Sequence, residues 1–335
     1  MAENKPFTGV DDRVRLADAV PLKTPFTLNV FPSNVCNFRC TYCAQSLGTE
    51  YLLREYDFPQ EMMGMDIVDQ IIEQSKEFSR KYKLISFMGH GEPLCNRNLP
   101  EMIHRIKQAE ITDRIDIITN ASLLTNKYAD ELIEAGLDVL RVSLQGVSAE
   151  AYSKTCGVHI DFDKFVDNLS YFYHNKKQCN VYVKTVDTSL KAGEEEKFYE
   201  IFGKICDRIY IDKIRPVYSG VEYSEMEKDL SQDRYGNVHE KRMVCPQPFY
   251  MLSVWANGDV TPCDALYKAC LLGNVKKERL KELWDSEKKK QFCKMQLEKK
   301  RESYPACQKC CAPDDVASKE DILDRDADKL ISLFA

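Results

Sequence analysis

The sequence predicts an α/β fold, a partial (β/α)6 barrel similar to a TIM barrel, followed by a small cysteine-rich module. Two observations predict it. Six β-type runs alternate with helix-type segments up to residue 217, and a β-hairpin pattern with a charged helix follows residue 240. Alternating strands and helices form a parallel sheet with right-handed crossovers. Six units are too few to close an eight-unit barrel, so the barrel is expected to be open.

The predicted strands share short apolar runs rich in β-branched and aromatic residues. They cover residues 28–33, 83–89, 116–120, 139–145, 180–187 and 208–217. The predicted helices carry apolar residues at helical spacing, and they cover residues 65–78, 99–109, 127–135, 162–175 and 194–205. Catalytic groups in parallel α/β barrels lie at the C-terminal ends of strands, so the segments after these strands are the expected site.

The chain divides into five predicted segments. Residues 1–24 are polar and weakly patterned, and we interpret them as an N-terminal arm before the barrel of residues 25–217. Residues 218–240 show no periodicity and are interpreted as a linker. Residues 241–315 form the module, with a hairpin turning at Asn257-Gly258 and a long helix over 275–297. Residues 316–335 are predicted to form a C-terminal helix on the outside of the protein.

Composition excludes several classes of protein. The chain has 335 residues, 30% of them charged, and a net charge of −6. No apolar run reaches the roughly 20 residues that span a bilayer, and the N-terminus has no apolar signal core. Without an overall basic excess, nucleic-acid binding is not expected. These features predict a cytoplasmic protein whose partners include neither a membrane nor a nucleic acid.

Fourteen cysteines are unusual for a chain of this size, and without a signal peptide they indicate metal or redox chemistry. Cys36, Cys40 and Cys43 follow the first predicted strand in a C-x3-C-x2-C pattern. Thiolates are the ligands of iron–sulfur clusters. Three thiolates bind three irons of a four-iron cubane and leave the fourth iron open for a substrate, in the same way that a catalytic zinc keeps one coordination position open. Three structural cysteines, or part of a zinc site, are the alternatives.

This cysteine spacing resembles the signature of the radical S-adenosylmethionine (SAM) superfamily, and other motifs extend the resemblance over about residues 28–217. Gly91-Glu92-Pro93 ends the second strand and resembles the family's GGEP motif, although His90 stands where the family often has glycine. Three further matches follow the family's order at strand ends or beside the cysteines: Thr119-Asn120 for TN(G/A), Ser143-Leu-Gln-Gly146 for SLDG or SLQG, and Tyr42 for the aromatic residue beside adenine.

The resemblance implies that the first three cysteines hold a [4Fe–4S] cluster whose open iron takes the amino and carboxylate groups of SAM. One electron from the reduced cluster then cleaves SAM to a 5′-deoxyadenosyl radical. Glu92 is implied to hold the SAM amino group. The full set of implied SAM-binding residues is Tyr42, Gly91, Glu92, Pro93, Asn120, Ser143 and Gln145.

A second set of cysteines lies in the module. Cys245 and Cys263 flank the hairpin, and Cys307 and Cys310 follow the charged helix. With the intervening residues 271–284, this arrangement resembles the SPASM and Twitch modules of radical SAM enzymes. It is more similar to Twitch, which implies a single auxiliary [4Fe–4S] cluster with four cysteine ligands and a function in electron transfer. A zinc-ribbon-like structural site is the alternative, and Cys311 could replace Cys310 as a ligand.

The substrate-facing residues are less well defined. Lys184, Asp187 and Arg215 lie near the ends of the fifth and sixth strands, although Lys184 and Asp187 could form an ion pair without a catalytic role. Cys156 follows the fourth strand. Some radical SAM epimerases use a cysteine as hydrogen-atom donor, so Cys156 is a catalytic candidate, with a packed thiol as the alternative.

Two classes of function compete. The first is a dehydrogenase or epimerase acting on a sugar, cyclitol or nucleotide-linked sugar, because the auxiliary cysteines resemble those of 2-deoxy-scyllo-inosamine dehydrogenase. The second is peptide modification, whose enzymes often carry a leader-binding domain before the barrel. The early position of Cys36 leaves no room for one and favours the small molecule. A flavodoxin or ferredoxin-type protein is the expected electron donor, and the basic segment 276–301 is either its docking face or a solvated helix face.

Overall fold

The computed structural model describes residues 2–9, 13–223, 231–316 and 318–334. In these ranges ten strands form one sheet, in the order β1-β7-β6-β5-β4-β3-β2-β8-β9-β10. The strands are β1 (Glu3–Asn4), β2 (Thr27–Val30), β3 (Leu84–Phe87), β4 (Ile115–Thr119), β5 (Val139–Leu144), β6 (Asn180–Val186), β7 (Arg208–Asp212), β8 (Met251–Val254), β9 (Asp259–Thr261) and β10 (Gly273–Asn274). Strands β2 to β7 are the six predicted ones, and neighbouring strands among them are parallel.

The helices of the barrel region are α1 (Leu16–Ala19), α2 (Thr49–Tyr56), α3 (Met65–Ser75), α4 (Leu99–Ala109), α5 (Asn126–Glu134), α6 (Ala149–Cys156), α7 (Phe162–Asn175) and α8 (Glu194–Phe202). Helices α3 to α8 pack in the core on the outer face of these strands. Helix α1 instead packs against the module and the C-terminal segment, and α2 packs beside Phe31 and Trp255. Side-chain oxygens of Thr125, Ser148 and Asp161 cap the first turns of α5, α6 and α7. Strands that alternate with helices in a parallel sheet confirm the predicted α/β class and the partial barrel.

The two faces of the barrel strands differ in polarity. Outward-facing residues such as Leu28, Ile85 and Ile117 are fully buried in the core that the helices cover. The opposite face carries the polar residues Asn29, Ser86, Asp116, Arg141 and Lys184, and the apolar Ile118 lies among them. Because successive strand residues point to opposite faces, one alternating pattern supplies both an apolar core and a polar interior.

The N-terminal segment contributes more than an arm. Strand β1 pairs with β7 in parallel, so residues 3–4 extend the barrel sheet. The ring of Phe7 lies 5.4 Å from that of Tyr182, and the Arg141 guanidinium lies 4.2 Å from the Phe7 centroid. Phe7 therefore packs on lumen-facing side chains of β5 and β6.

The cysteine-rich module continues the barrel sheet. The predicted hairpin is present as β8 and β9, and β8 pairs in parallel with β2. The helix predicted over 275–297 is wrong as a single element. It consists of α10 (Leu280–Asp285) and α11 (Glu287–Leu297), because the Ser286 side chain caps α11 and ends α10. Two short helices complete the module, α9 (Gln247–Tyr250) and α12 (Pro305–Gln308).

The C-terminal segment is not the single helix that the sequence predicted. In the described part of residues 316–335 the α-helix is α14 (Ala327–Ile331), which irregular chain separates from α13 (Ala312–Asp315) at the end of the module. Asp321 pairs with Arg13, and Asp324 accepts from the Met243 amide, so side-chain contacts hold this segment in a non-helical path. Part of the predicted linker, 224–230, lies outside the described residues. No helix in the described ranges has the length and apolarity that crossing a bilayer requires.

Candidate functional site

The first three cysteines lie in the loop that leaves the C-terminal end of β2. The amides of Arg39 and Thr41 donate to the carbonyls of Cys156 and Thr155 at 3.1 and 2.9 Å, which fastens this loop to the end of α6. The Gln45 side chain donates to the carbonyls of Asn34 and His90 at 3.1 and 2.7 Å. The cysteine loop is therefore held by the segments after β3 and β5, at the edge of the barrel where catalytic groups are expected.

The three thiols lie in surroundings that oppose their ionisation. Burial raises the pKa of Cys36 and raises that of Cys43 to about 12. A hydrogen bond with the Cys156 thiol, and then burial, raise the pKa of Cys40. A buried thiolate is costly without a nearby cation, so this set of donors suits a site in which bound iron compensates their charge.

The loop after β3 is packed against the cysteine loop. A Cβ atom on Gly91 would lie 2.2 Å from the Ser33 carbonyl oxygen, so only glycine fits there. Glu92 is buried, and its carboxylate accepts from the Leu94 amide at 2.9 Å, from the Asn120 amide at 2.8 Å and from the Thr119 hydroxyl. Burial raises the pKa of Glu92 to about 6. Glu92 thus joins the ends of β3 and β4, and Pro93 follows it in a short 3-10 turn.

The segment after β5 completes the predicted SAM residues. Gly146 has a φ of +145°, and a Cβ atom there would lie 2.4 Å from that of Ala151. The Oε1 atom of Gln145 is buried and has no hydrogen-bond partner among the described residues, which leaves an acceptor for a ligand. Ser143 lies two residues earlier, at the end of β5. Tyr42 lines a cavity of about 370 Å³ with Ser189, Lys191 and other residues of the barrel rim.

The four cysteines of the module line one common cavity. Cys245, Cys263, Cys307 and Cys310 border it, together with Gln296 and Arg301. The Arg301 guanidinium donates to the carbonyls of Cys307 and Cys310 at 2.8 and 2.7 Å. Cys311 does not line this cavity. The structure therefore brings together all four cysteines that the sequence singled out.

One local geometry recurs among the predicted ligands. The thiols of Cys36 and Cys310 each accept a hydrogen bond at 3.4 Å from the amide two residues later. The amide at the same spacing acts to lower the pKa of Cys43, Cys245 and Cys263, against the rise that burial causes. Such bonds stabilise the charged form of the sulfur, as a thiolate bound to iron requires. In the described ranges no three cysteine, histidine or acidic side chains converge on a single metal position. In a cubane each thiolate instead ligates its own iron, so both cysteine sets fit clusters.

Comparison with protein families identifies both parts of this arrangement. A model of the Radical SAM superfamily matches residues 30–187, and a model of the SPASM iron–sulfur cluster-binding domain matches residues 245–311. The chain is a radical SAM enzyme. The predicted superfamily and the C-terminal SPASM auxiliary-cluster module are confirmed, and with them SAM and [4Fe–4S] clusters as the cofactors that these domains imply.

Curated relatives match only part of this radical SAM enzyme. A probable GTP 3′,8-cyclase of Methanococcus maripaludis is 38% identical over 138 residues, 41% of each chain. The GTP 3′,8-cyclase of Staphylococcus haemolyticus is 29% identical over 146 residues, 43% of this chain and 41% of that protein. The chain thus spans about two fifths of the length of the curated relatives it matches.

Solved structures resemble the radical SAM enzyme over most of its length. BtrN in complex with AdoMet and 2-DOIA has a TM-score of 0.52 at 19% identity, over 85% of this chain and 92% of that one. Streptococcus suis SuiB bound to the precursor peptide SuiA has a TM-score of 0.59 at 18% identity, over 81% of this chain and 67% of that one. The structure of anSMEcpe with bound AdoMet has a TM-score of 0.58 at 18% identity, over 92% of this chain and 95% of that one. At these identities the likeness shows the shared fold alone.

The predicted catalytic residues do not form one group. Lys184 pairs with Asp212 at 2.6 Å inside the barrel, and not with Asp187; burial lowers the Lys184 pKa. Asp187 accepts from the Ile214 amide at 3.1 Å and connects the ends of β6 and β7. Arg215 is buried and donates to the Gln232 carbonyl at 2.7 Å.

Cys156 lies at the end of α6 and is fully buried, with its thiol against that of Cys40. It is therefore beside the first cysteine set, and no face of its side chain is exposed in this state. Its role as a hydrogen-atom donor stays a prediction.

The sequence marked His90 only as a departure from the family's motif, and it did not single out Trp255, Asp264 or Arg301. His90, Trp255 and Asp264 lie between the two cysteine sets, and Arg301 lies beside the second set. Two signals point to them: His90 departs from the family's GGEP pattern, and Asp264 directly follows Cys263. Neither signal reveals which partner the side chain contacts.

Proposed function

We propose that this radical SAM enzyme oxidises a small polar substrate, a sugar, cyclitol or nucleotide-linked sugar, by abstracting a hydrogen atom. The remaining electron passes to a single, Twitch-like auxiliary [4Fe–4S] cluster held by Cys245, Cys263, Cys307 and Cys310. One observation carries the proposal. A cavity of about 290 Å³ extends from lumen residues of the barrel, such as Ser86 and Arg141, to Gln247 and Asp264 beside the second cysteine set.

Among the proposed substrates, the charges around this cavity favour an uncharged sugar or cyclitol over a nucleotide-linked sugar, whose phosphates are anionic. Arg141 pairs with Asp116 at 3.3 Å, and Arg13 pairs with Asp321 at 2.6 Å. Arg234 also forms an ion pair, with Asp315. Since these cations are already compensated, the cavity offers hydrogen-bonding groups more than free charge. A polyhydroxylated molecule matches such a lining because each hydroxyl both donates and accepts.

The two cysteine sets have separate functions in this proposal. The group bound by Cys36, Cys40 and Cys43 supplies, together with SAM, the 5′-deoxyadenosyl radical. The cavity beside Tyr42 and the unpaired Gln145 oxygen provide for the rest of the SAM molecule. We further propose a flavodoxin or ferredoxin-type electron donor, because α11 presents exposed Lys288 and Lys290 near the second set.

The balance of atoms and electrons distinguishes the alternatives. In oxidation the radical takes a hydrogen atom, a base takes a proton and the auxiliary cluster takes one electron. In epimerisation a hydrogen-atom donor returns an atom to the same carbon, and Cys156 is the candidate. Its complete burial against Cys40 favours oxidation. Peptide modification, as a third possibility, needs a site for an extended chain, whereas the cavity of our proposal is bounded by the barrel strands, the N-terminal segment and the module.

Product mass tests the proposal. Reduced enzyme is incubated with SAM in deuterated water and a panel of sugars, cyclitols, nucleotide sugars, GTP and peptides. We expect a product that has lost two hydrogen atoms and carries no solvent deuterium on carbon, found by mass spectrometry. The Cys156→Ala variant is expected to form the same product. Epimerisation would instead be established by a product that keeps the composition of the substrate and carries one carbon-bound deuterium, provided that the Cys156→Ala variant does not form this product.

Replacing Glu92 by alanine is expected to weaken SAM binding by roughly ten- to a hundredfold. The change removes a buried carboxylate that holds the ends of β3 and β4 and is implied to contact the SAM amino group, and hydrogen bonds to charged groups contribute about 1.5–3 kcal/mol each. Equilibrium binding of SAM to the reconstituted protein measures the effect. Glu101→Ala, at an exposed position on α4, is the matched control. Unaltered affinity at full iron content would refute this role of Glu92.

A further inference from the structure

The His90 imidazole connects the SAM-motif loop to the auxiliary cysteine segment. Its Nε2 lies 2.8 Å from the carbonyl oxygen of Asp264, and its Nδ1 lies 2.9 Å from the Tyr218 hydroxyl. A carbonyl oxygen can only accept, so Nε2 carries the proton of the neutral ring. Nδ1 is then the acceptor, and the Tyr218 hydroxyl donates to it. Both partners together determine a single tautomer.

The hydrogen-bonded chain continues to a predicted cluster ligand. The carbonyl of Asp264 belongs to the same peptide group as the amide of Ala265, and this N–H is directed at the Cys263 thiol, the charged form of which it favours. A peptide whose oxygen accepts a hydrogen bond is polarised, so its N–H becomes a stronger donor. The series of donors therefore runs from Tyr218 through His90 and the 264–265 peptide to the Cys263 sulfur.

Aromatic packing holds the imidazole in place. The ring stacks on Trp255 with centroids 5.7 Å apart and planes 18° apart, and Phe31 and Phe58 meet it edge-on. Burial lowers the pKa of His90 to about 4, and the charge of Lys268 acts in the same direction. The ring is thus neutral at physiological pH, and the tautomer is maintained.

We propose that His90, oriented by Tyr218, is a positioning residue that raises the reduction potential of the auxiliary cluster through the 264–265 peptide. Hydrogen bonds to the cluster sulfurs set the potentials of iron–sulfur clusters, and groups beyond the ligands tune a metal site. A stronger N–H donor to the Cys263 sulfur stabilises the reduced cluster, which carries more negative charge. The cluster becomes a better acceptor for the substrate electron. This inference rests on the proposed function, because it requires the second cluster.

The test measures the midpoint potential of the auxiliary cluster alone. In holoprotein with Cys36, Cys40 and Cys43 replaced by alanine, only this cluster is expected, and a redox titration followed by electron paramagnetic resonance reports its potential. His90→Phe keeps a stacked ring but removes both nitrogens, and we expect a shift to lower potential. Tyr218→Phe is expected to shift it in the same direction by less. The double variant should match His90→Phe, since Tyr218 acts through His90.

A matched control removes a different hydroxyl from the same aromatic region. Tyr56 donates to the Ser219 carbonyl, and its ring contacts within the described residues are with Tyr51 and Tyr267, so Tyr56→Phe should leave the potential unchanged. An unchanged potential in His90→Phe, at full iron content, overturns the inference, and so does a further shift in the double variant. If His90→Phe fails to load the auxiliary cluster, the midpoint potential of Tyr218→Phe is the test, and a potential equal to that of the parent protein overturns the inference. Absence of the cluster in the parent protein would overturn the proposed function instead, and this inference with it.

Discussion

Replacing Cys36, Cys40 and Cys43 together by alanine is expected to abolish SAM cleavage and to leave about four of about eight irons per chain. The reason is structural separation. These three cysteines lie in the loop after β2, whereas the other four line their own cavity in the module. Loss of the first set removes the only open iron that the resemblance implies, while the second set keeps its four thiols. Iron and sulfide analysis after anaerobic reconstitution, with chromatography of 5′-deoxyadenosine, measures both effects.

A control with other buried cysteines separates ligation from general damage. Cys179 and Cys206 are buried in the barrel core and lie outside both cysteine sets, so Cys179→Ala with Cys206→Ala should keep iron content and SAM cleavage. Persistent SAM cleavage in the triple variant would contradict the assignment of the first cluster. Loss of all iron there would show that the two sites are not independent.

Replacing Cys307 and Cys310 by alanine is expected to stop product formation while SAM cleavage continues. In the proposed oxidation the substrate radical must release an electron, and this change removes two of the four thiols that would hold its acceptor. The first cysteine loop is fastened to α6 and to the segment after β3, both within the barrel, and should remain intact. The ratio of 5′-deoxyadenosine to oxidised product, with iron falling to about four per chain, reports the effect.

The neighbouring cysteine provides the control for this experiment. Cys311 follows Cys310 directly but does not line the cavity of the second set, so Cys311→Ala should retain full iron content and product formation. If Cys311→Ala loses half of its iron, Cys311 is the ligand in place of Cys310. Undiminished product from the Cys307/Cys310 variant would rule out the auxiliary cluster as electron acceptor.

The sequence by itself determined the parts of this protein that depend on local pattern. The helices over residues 99–109 and 162–175 have the predicted bounds, because apolar residues recur at helical spacing and because Pro100 and Asp161 favour their first turns. The six barrel strands are near their predicted positions for the same reason. The C-x3-C-x2-C pattern predicted the superfamily, since a cubane with an open iron needs three thiolates that a single loop can supply.

The tertiary structure decided what depends on contacts between distant segments. Pairing of β8 with β2 joins residues more than two hundred positions apart, and no local period encodes it. The placement of Cys310 rather than Cys311 on the common cavity depends on how α12 and the hairpin pack. Lys184 forms an ion pair with Asp212 on the neighbouring strand, and His90 forms a hydrogen bond with the carbonyl of Asp264 in the module. The spacing of residues in the sequence determines which side chains are neighbours on one helix or strand. Contacts between separate elements form only when the chain folds, and these contacts determine the partner of each side chain.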